Sequence, residues 1–295
     1  MVATTPADDA LDAIPTRRRL TAMEFVRRHP TMLAGIVLLL TMVAIAVLAP
    51  YLGTVDPLRI NPIRRLRPPS ELYWFGTDQF GRDVWSRVLY GTRVSLLVGA
   101  AVAVIATVIG LAIGLVAGYN RLVDSIVMRV MDGLMAIPAI LLAIALMALT
   151  KSSVRNVIIA IAVAEIPRVT RLVRGVVLQV RENVYVQAAV AVGTPTPKIL
   201  VRHILPNTLA PLIVQATYIC AAAVITESAL SFLGAGTPPD VPSWGSIMAE
   251  GRTFFQIAYW NILFPGIFLS LTVLAINLVG DGLRDLLDPR LARRM

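Results

Sequence analysis

The chain is poor in charged side chains, in cysteine and in histidine. Its 295 residues include one cysteine, Cys220, and two histidines, His29 and His203. A single cysteine excludes an internal disulfide and any metal site built from several cysteines. Only 15% of the residues are charged, which is well below the share typical of a soluble globular domain.

Sequence signatures of catalysis are also missing. The chain contains no Gly-x-x-x-x-Gly-Lys-[Ser/Thr] sequence, which excludes a phosphate-binding loop of that type. It shows no paired carboxylates, no nucleophile triad and no metal-ligand spacing. We therefore expect a protein that is not an enzyme, with no cofactor and no metal, so that any ATP-driven step takes place on another chain.

Apolar residues are what the chain has in abundance. They make up 57% of it, and the mean hydropathy is +0.74, values typical of a polytopic membrane protein. The net charge of +9 invites a nucleic-acid interpretation. We reject it because the basic residues lie at the ends of apolar runs and not along one polar face.

Six apolar runs are long enough to cross a bilayer, which takes about 20 residues per helix. The first is too long for a cleaved signal peptide, so we interpret it as a retained span that follows a cytoplasmic N-terminus. The sequence thus predicts an all-α polytopic membrane protein with about six transmembrane helices. They are Met32–Leu52, Val94–Gly118, Ile126–Leu149, Val154–Leu178, Thr208–Phe232 and Asn261–Gly280.

Two features within these spans concern helix packing. Gly110, Gly114 and Gly118 recur every four residues and so share one helix face. Small faces of this kind let helices approach closely in lipid, which predicts a tight contact, either within the subunit or across a dimer. Pro138 interrupts the third span, and Pro167 is expected to bend the fourth.

A few ionisable residues fall inside the predicted spans, where they are functional candidates by default. Asp132 is three residues from Arg129 on one helix face, which favours an interfacial ion pair. Glu165 and Arg168 have the same spacing. Glu227 is a candidate for the translocation path, but an interfacial acid reached by water is the favoured interpretation.

The stretch 185–207 reads as a short helix, a break and a second short helix. Gly193 is expected to end the first piece. Thr196 followed by Pro197 is a favourable restart, with a hydroxyl cap and a proline at the first helical position. Pro206 is expected to stop the second piece. A short basic segment between spans favours the cytoplasmic side, although the first long loop is also rich in arginine.

This stretch resembles the coupling-helix signature of ABC importer permeases, written Glu-Ala-Ala, three residues, Gly, nine residues, Ile-x-Leu-Pro. Two positions depart from it, because Gln187 replaces the glutamate and His203 stands in place of the isoleucine. Any contact of Gln187 with an ATPase is then a neutral hydrogen bond. The residues expected to couple to the ATPase are Tyr185, Gln187, Ala188, Ala189, Gly193, Leu205 and Pro206.

Three further motifs resemble the permeases of dipeptide, oligopeptide and nickel importers. They are Phe-Gly-Thr-Asp-x-x-Gly-Arg-Asp from Phe75, a Pro- and Gly-rich loop that ends at Gly245, and Gly-Asp-Gly-Leu-Arg-Asp from Gly280. In the first, local hydrogen bonds and ion pairs can hold the loop together, and docking of a substrate-delivery protein stays open. Ser246–Trp260 is predicted to be a helix at headgroup level. The loop residues singled out are Gly76, Thr77, Asp78, Gly81, Arg82, Asp83, Trp244 and Gly245.

The resemblance implies a type I ABC importer permease in the bacterial inner membrane, with both termini cytoplasmic. It implies a second permease, two cytoplasmic ATPases and a periplasmic binding protein as partners, and a peptide or similar small solute as cargo. An ATP-independent secondary transporter or channel is the alternative. The predicted divisions are 1–30, a cytoplasmic tail; 31–93, the first span and a periplasmic loop; 94–281, the core permease domain with coupling region 183–207; and 282–295, a cytoplasmic tail.

Overall fold

The computed structural model describes residues 29–287, and the two tails predicted to be cytoplasmic lie largely outside this range. Within it the regular structure is helical, as the composition predicts, and the fold class is confirmed. The α-helices are α1 (Pro30–Leu48), α2 (Val84–Tyr119), α3 (Arg121–Met135), α4 (Ala139–Ala148), α5 (Val154–Val180), α6 (Val184–Ala191), α7 (Thr196–Ile199), α8 (Leu205–Phe232), α9 (Trp244–Gly251) and α10 (Trp260–Leu287).

Four helical stretches in residues 29–287 are long and apolar enough to cross a membrane, and the bent pair α3–α4 would make a fifth. The four are Pro30–Tyr51, Val84–Tyr119, Thr196–Phe232 and Trp260–Leu287. The remaining helix of sufficient length is α5 with 27 residues, which carries Glu165 and three arginines within residues 165–174. The prediction of about six spans is therefore close but not reproduced in full.

Helix α2 begins ten residues before the predicted second span. Asp83 caps it, and the Asp83 carboxylate accepts a hydrogen bond from the backbone N–H of Ser86 at 2.9 Å. The prediction that the loop reaches Arg93 was wrong because polar residues occupy the first turns of this helix. Their side chains, among them Arg87, are buried by neighbouring loops and do not face solvent.

The third predicted span is not one straight helix. Helices α3 and α4 meet at an angle of 87° across the break that contains Pro138. Proline cannot donate a backbone hydrogen bond, and it disfavours helical geometry in the residue before it. The interruption predicted at Pro138 is therefore a sharp corner between two short helices.

The three spaced glycines of α2 pack against α5 of the same chain. A Cβ atom at Gly110, Gly114 or Gly118 would lie 2.5–2.7 Å from the Cβ of a valine on α5. The glycines thus permit a backbone approach that no larger residue allows. The valines, spaced four apart in the same way, are Val169, Val173 and Val177.

Ion pairs hold α3 against α5 at the same end of the bundle. Arg174 binds the Asp124 carboxylate through two nitrogens, one of them at 2.7 Å. Asp132 pairs with Arg171 at 2.6 Å, so the predicted partner Arg129 was wrong. The expected pair of Glu165 with Arg168 is present at 3.1 Å.

Replacing Gly114 with alanine is expected to destabilise the bundle by about 1–3 kcal/mol, the range typical of overpacking. The new methyl group would lie 2.7 Å from Val173 Cβ and 2.8 Å from the Thr170 carbonyl oxygen. The measurement is the temperature at which the detergent-solubilised protein loses its monodisperse elution peak.

Gly175→Ala is the matched control, because a Cβ at Gly175 on α5 meets nothing within 4 Å. Alanine favours a helix over glycine by about 1 kcal/mol, so the control should match or exceed the wild type. Equal melting of the two variants would contradict the close-packing interpretation.

Candidate functional site

The coupling segment, residues 183–207, begins with the short helix α6 and a glycine turn. Gly193 has φ +78°, a left-handed conformation that glycine adopts without strain. The helix break predicted at this residue is present. Buried Val186 anchors α6 to the bundle, so the turn projects from a fixed base.

The second half of the segment differs from the prediction. Helix α7 starts at Thr196 without a side-chain cap, so the predicted hydroxyl cap is wrong. Pro206 does not stop the helix. The chain passes through a π-helical turn at Leu200–Ile204 and continues directly into α8.

The π turn explains how the helix tolerates Pro206. In a regular helix the proline ring would clash with the carbonyl of Arg202, and its missing N–H would leave that carbonyl unpaired. Here the backbone N–H of Leu205 bonds to the carbonyl of Leu200, one residue further back than in an α-helix. The wider turn just before the proline makes room for its ring, and Pro206 lies in the first turn of α8.

A small polar contact fastens α6 to the start of α8. The Asn207 amide donates to the Tyr185 hydroxyl oxygen at 3.1 Å and to the His203 carbonyl oxygen at 2.7 Å. Two of the expected coupling residues, Tyr185 and Pro206, therefore lie on elements that one side chain joins. The segment is therefore held on both sides of the glycine turn, by buried Val186 before it and by the Asn207 hydrogen bonds after it.

Gln187 uses part of its polar side chain within the chain. Its amide nitrogen donates to the Glu182 carbonyl at 3.1 Å, while the side chain remains exposed. Ala188 is exposed and Ala189 half-buried. The amide oxygen of Gln187 stays available to a partner, as an acceptor without charge.

The surface around the segment combines apolar and basic groups. Val184 and Val192 are 82% and 81% exposed, and Lys198 and Arg202 are also exposed. Beside α6 lies an open groove of about 540 Å³ that is lined by Tyr119, Arg121, Arg181, Glu182, Val186, Gln187 and Val190. This arrangement suits a protein contact. Within residues 29–287, no cluster of three or more histidine, cysteine or acidic residues could hold a metal ion.

At the opposite end of the helices, the Phe-Gly-Thr-Asp motif holds its loop together. The Thr77 hydroxyl donates to the Arg64 carbonyl at 2.5 Å and accepts from the Arg67 N–H at 2.8 Å. Gly76 and Gly81 have positive φ angles. At Gly81 an added Cβ would lie 1.9 Å from the Asn61 carbonyl oxygen, so this turn has no room for a side chain.

A buried ionic cluster links this loop to α9. The Asp78 carboxylate accepts from Arg82 Nε at 2.6 Å and from Arg87 Nη1 at 2.8 Å. Arg87 also donates to Glu250 at 2.6 Å, and Arg82 binds the same carboxylate. Two arginines and two acids thus neutralise one another, although Arg87 and Glu250 are 163 residues apart in the sequence.

Helix α9 is an interior element in its first turn, and it ends at Gly251, nine residues before the end of the helix predicted over Ser246–Trp260. Trp244 is fully buried, and its indole N–H donates to the Val88 carbonyl at 3.2 Å. A Cβ at Gly245 would lie 2.4 Å from the Ser228 carbonyl oxygen. The helix therefore packs directly on α2 and α8.

Glu227 lies beside α9 in a pocket of hydroxyl groups. It is 0% exposed, which overturns the prediction of an acid reached by water. Its Oε1 accepts from Ser231 at 2.8 Å, and its Oε2 from Ser95 at 3.3 Å. No lysine or arginine contacts it among residues 29–287, so the glutamate joins α2 to α8 through hydroxyl groups alone.

Sequence reasoning missed Arg87 and Glu250. Both lie outside the turn that carries the recognised motif, and nothing in their local pattern marks them as buried. The available signal was the surplus of arginine over acid in residues 64–87, because buried arginines in such a segment need acidic partners from elsewhere.

The chain was compared with known proteins. The model of the family described as "Binding-protein-dependent transport system inner membrane component" matches residues 106–293. "Probable peptide ABC transporter permease protein y4tQ" of Sinorhizobium fredii is 53% identical over 93% of this chain and 94% of its own length. "Dipeptide transport system permease protein DppC" of Alkalihalophilus pseudofirmus is 41% identical over 97% and 94%, respectively.

A solved structure shares the fold. It is one chain from the inward-facing conformations of the MetNI methionine ABC transporter, with a TM-score of 0.53 and 20% identity. The alignment covers 68% of this chain and 96% of that one. At this identity the likeness concerns the arrangement of helices.

Replacing Arg87 with methionine is expected to destabilise the protein by about 3–5 kcal/mol, because Asp78 and Glu250 would share one arginine in a buried site. The readout is the midpoint of thermal unfolding in detergent. Arg252→Met, which removes an exposed arginine near the end of α9, is the control and should stay within about 0.5 kcal/mol of the wild type. A comparable loss in both variants would show that the cluster is not what stabilises this region.

Glu227→Gln is expected to be tolerated, whereas Glu227→Leu is expected to lower stability by about 1–3 kcal/mol. Glutamine keeps an acceptor for Ser231, while leucine leaves buried hydroxyl groups without their acceptor. Thermal unfolding of the two variants, which have side chains of similar size, provides the comparison. Equal stability of the two would contradict the proposed hydrogen-bonding role.

Proposed function

The chain belongs to the family of binding-protein-dependent transport system inner membrane components and is a transmembrane permease subunit of an ABC importer; from this premise, we propose that its cargo is a peptide of a few residues. The relatives support that class of solute, since their names specify peptides, dipeptides and, in Pectobacterium atrosepticum, glutathione, itself a tripeptide. They favour ATP-driven import over an ATP-independent carrier or channel.

The coupling segment is the observation that supports energy input from another chain. It consists of two short helices joined by the turn at Gly193, and it projects from the bundle. Val186 and the contact of Asn207 with Tyr185 hold it in place. Its exposed surface is apolar at Val184 and Val192 and basic at Lys198. Such a surface suits a groove on a cytoplasmic ATPase with an apolar floor and an acidic rim.

The assembly we propose contains two permeases, two ATPases and an extracytoplasmic binding protein in the bacterial inner membrane. The second permease is a different chain. Tyr185, Gln187, Ala188, Ala189, Gly193, Leu205 and Pro206 make or support the ATPase contact, with Gln187 contributing a neutral hydrogen bond. The segment and both termini lie on the cytoplasmic side, and the Phe-Gly-Thr-Asp loop lies outside.

The test is purification of the tagged chain from its native membrane, followed by uptake measurements. We expect recovery of a second permease and of ATPases with phosphate-binding loops. We also expect loss of labelled di- and tripeptide uptake when the chain is deleted. If the assembly is recovered but the deletion strain takes up peptides as the wild type does, only the proposed class of solute is overturned. If the chain is recovered only with itself, the ATP-driven assembly is overturned.

Gly193→Val is expected to reduce transport at least tenfold while the assembly remains intact. A Cβ at this position meets nothing within 4 Å, but the backbone has φ +78°, which costs a β-branched residue about 1–2 kcal/mol or more. The turn should relax and move α7 relative to α6. Uptake and ATPase activity of the reconstituted complex are the measurements.

Gly193→Asn is the matched control, since asparagine enters the left-handed region more readily than valine. It should retain most of the transport activity. Wild-type uptake by the valine variant would show that the shape of this turn is not needed for coupling.

A further inference from the structure

Four exposed arginines fall within nine residues, 59–67, of the loop between α1 and α2. We propose that this arginine patch binds the headgroups of anionic phospholipids and holds the loop against the membrane surface. The patch is defined as Arg59, Arg64, Arg65 and Arg67, all of which are exposed. The proposal does not depend on which solute the protein carries.

The patch keeps its positive charge in the folded chain. No carboxylate within residues 29–287 pairs with any of the four arginines. Arg64 donates to the Tyr73 hydroxyl at 2.7 Å, and Arg65 to the Gln79 carbonyl at 2.6 Å, so both have neutral partners. Arg59 and Arg67 make no side-chain hydrogen bond to a described residue.

Most nearby acids are committed elsewhere. Asp78 and Glu250 neutralise the buried arginines, and Asp83 caps α2. Asp56 accepts from the backbone N–H of Leu58 at 2.9 Å. Glu71 is exposed. Asp56, Glu71 and Asp83 keep their negative charges, but none of them pairs with the four arginines, which still outnumber these acids.

The loop lies at the level where α1 ends, as a membrane-surface site requires. The Trp85 indole donates to the Leu52 carbonyl at 3.0 Å, which holds the start of the loop against α2. Arg93 reaches back to the last carbonyls of α1 at Ala46 and Val47. An arginine that turns to helix-end carbonyls is typical of the boundary between hydrocarbon and headgroups.

Apolar side chains around the patch make the surface amphipathic. Ile63 is 86% exposed, Leu72 68% and Trp74 58%. At the end of the first span, from which the loop follows, Val47 is 63% and Tyr51 83% exposed. Exposed apolar side chains at a span end and on the loop that follows it are expected to contact acyl chains and glycerol, with the arginines at phosphate level.

Arginine is well suited to this contact. Its guanidinium group binds phosphate oxygens in a forked geometry, and basic residues near an anionic membrane surface add to the affinity one by one. A lipid is favoured over an acidic protein because the loop that carries the patch follows directly on a membrane span whose end exposes apolar side chains. An acidic protein partner would not need the exposed side chains of Val47 and Tyr51.

The test uses the purified full-length chain in detergent. Native mass spectrometry compares the binding of phosphatidylglycerol and phosphatidylcholine with matched acyl chains. We expect the wild type to prefer phosphatidylglycerol. The double variant Arg59→Gln/Arg67→Gln should lower that preference by about fivefold or more, and it is expected to fold because neither side chain has an internal hydrogen bond.

Two controls isolate charge at the patch. Arg59→Lys/Arg67→Lys keeps the charge and should retain most of the preference. Arg129→Gln removes an exposed arginine on α3, at the other end of the bundle, and should leave the preference unchanged. Equal binding of the two lipids, or an unchanged preference in the glutamine variant, would overturn the proposal. It would also be overturned if millimolar inorganic phosphate displaced phosphatidylglycerol as effectively as unlabelled phosphatidylglycerol does. If the glutamine variant kept the lipid preference but no longer bound an acidic binding protein, the patch would be a protein-binding site and the proposal would be overturned.

Discussion

The close approach of α2 to α5 is the contact on which the other helices depend. Three glycines on α2 meet three valines on α5, so dispersion forces act between backbones and not only between side chains. The hydrophobic effect offers little to helices already surrounded by lipid, so this shape match is what supplies the attraction. The shorter helices then pack on the outside of the pair: α3 through its ion pairs with α5, and α4 through the corner at Pro138.

Buried polar groups stabilise the fold at the end of the bundle opposite the coupling segment. Asp78, Arg82, Arg87 and Glu250 neutralise one another where the α1–α2 loop meets α2 and α9, and the Glu227 pocket supplies hydroxyl groups at the same end of the bundle. Each cluster joins segments that are distant in sequence. A buried charge is costly unless its partner is present, so these contacts favour one arrangement of the loops over many looser ones.

Much of the architecture could be predicted from composition and spacing, because spans, glycine faces and coupling motifs leave local patterns. The break at Gly193 and the interruption at Pro138 belong to this group. The polar start of α2 was not predictable from hydropathy, since Arg87 is buried by residues more than 150 positions away. The partner predicted for Asp132 was wrong for a similar reason. Arg129 is a neighbour on the same helix and is evident from the spacing, whereas Arg171 lies on α5 and only the fold brings it close.

The π turn before Pro206 has a mechanical consequence. It allows the helix to run without interruption from Thr196 to Phe232, 37 residues, or about 55 Å at 1.5 Å per residue. One continuous helix therefore connects the coupling segment to the hydroxyl pocket of Glu227. The π turn and the two prolines that follow it, Pro206 and Pro211, are the positions where this helix bends most easily. A push on the α7 end is therefore expected to tilt the helix about this region and to move its far end against α9. The chain thus contains a lever whose two ends lie on opposite sides of the bundle.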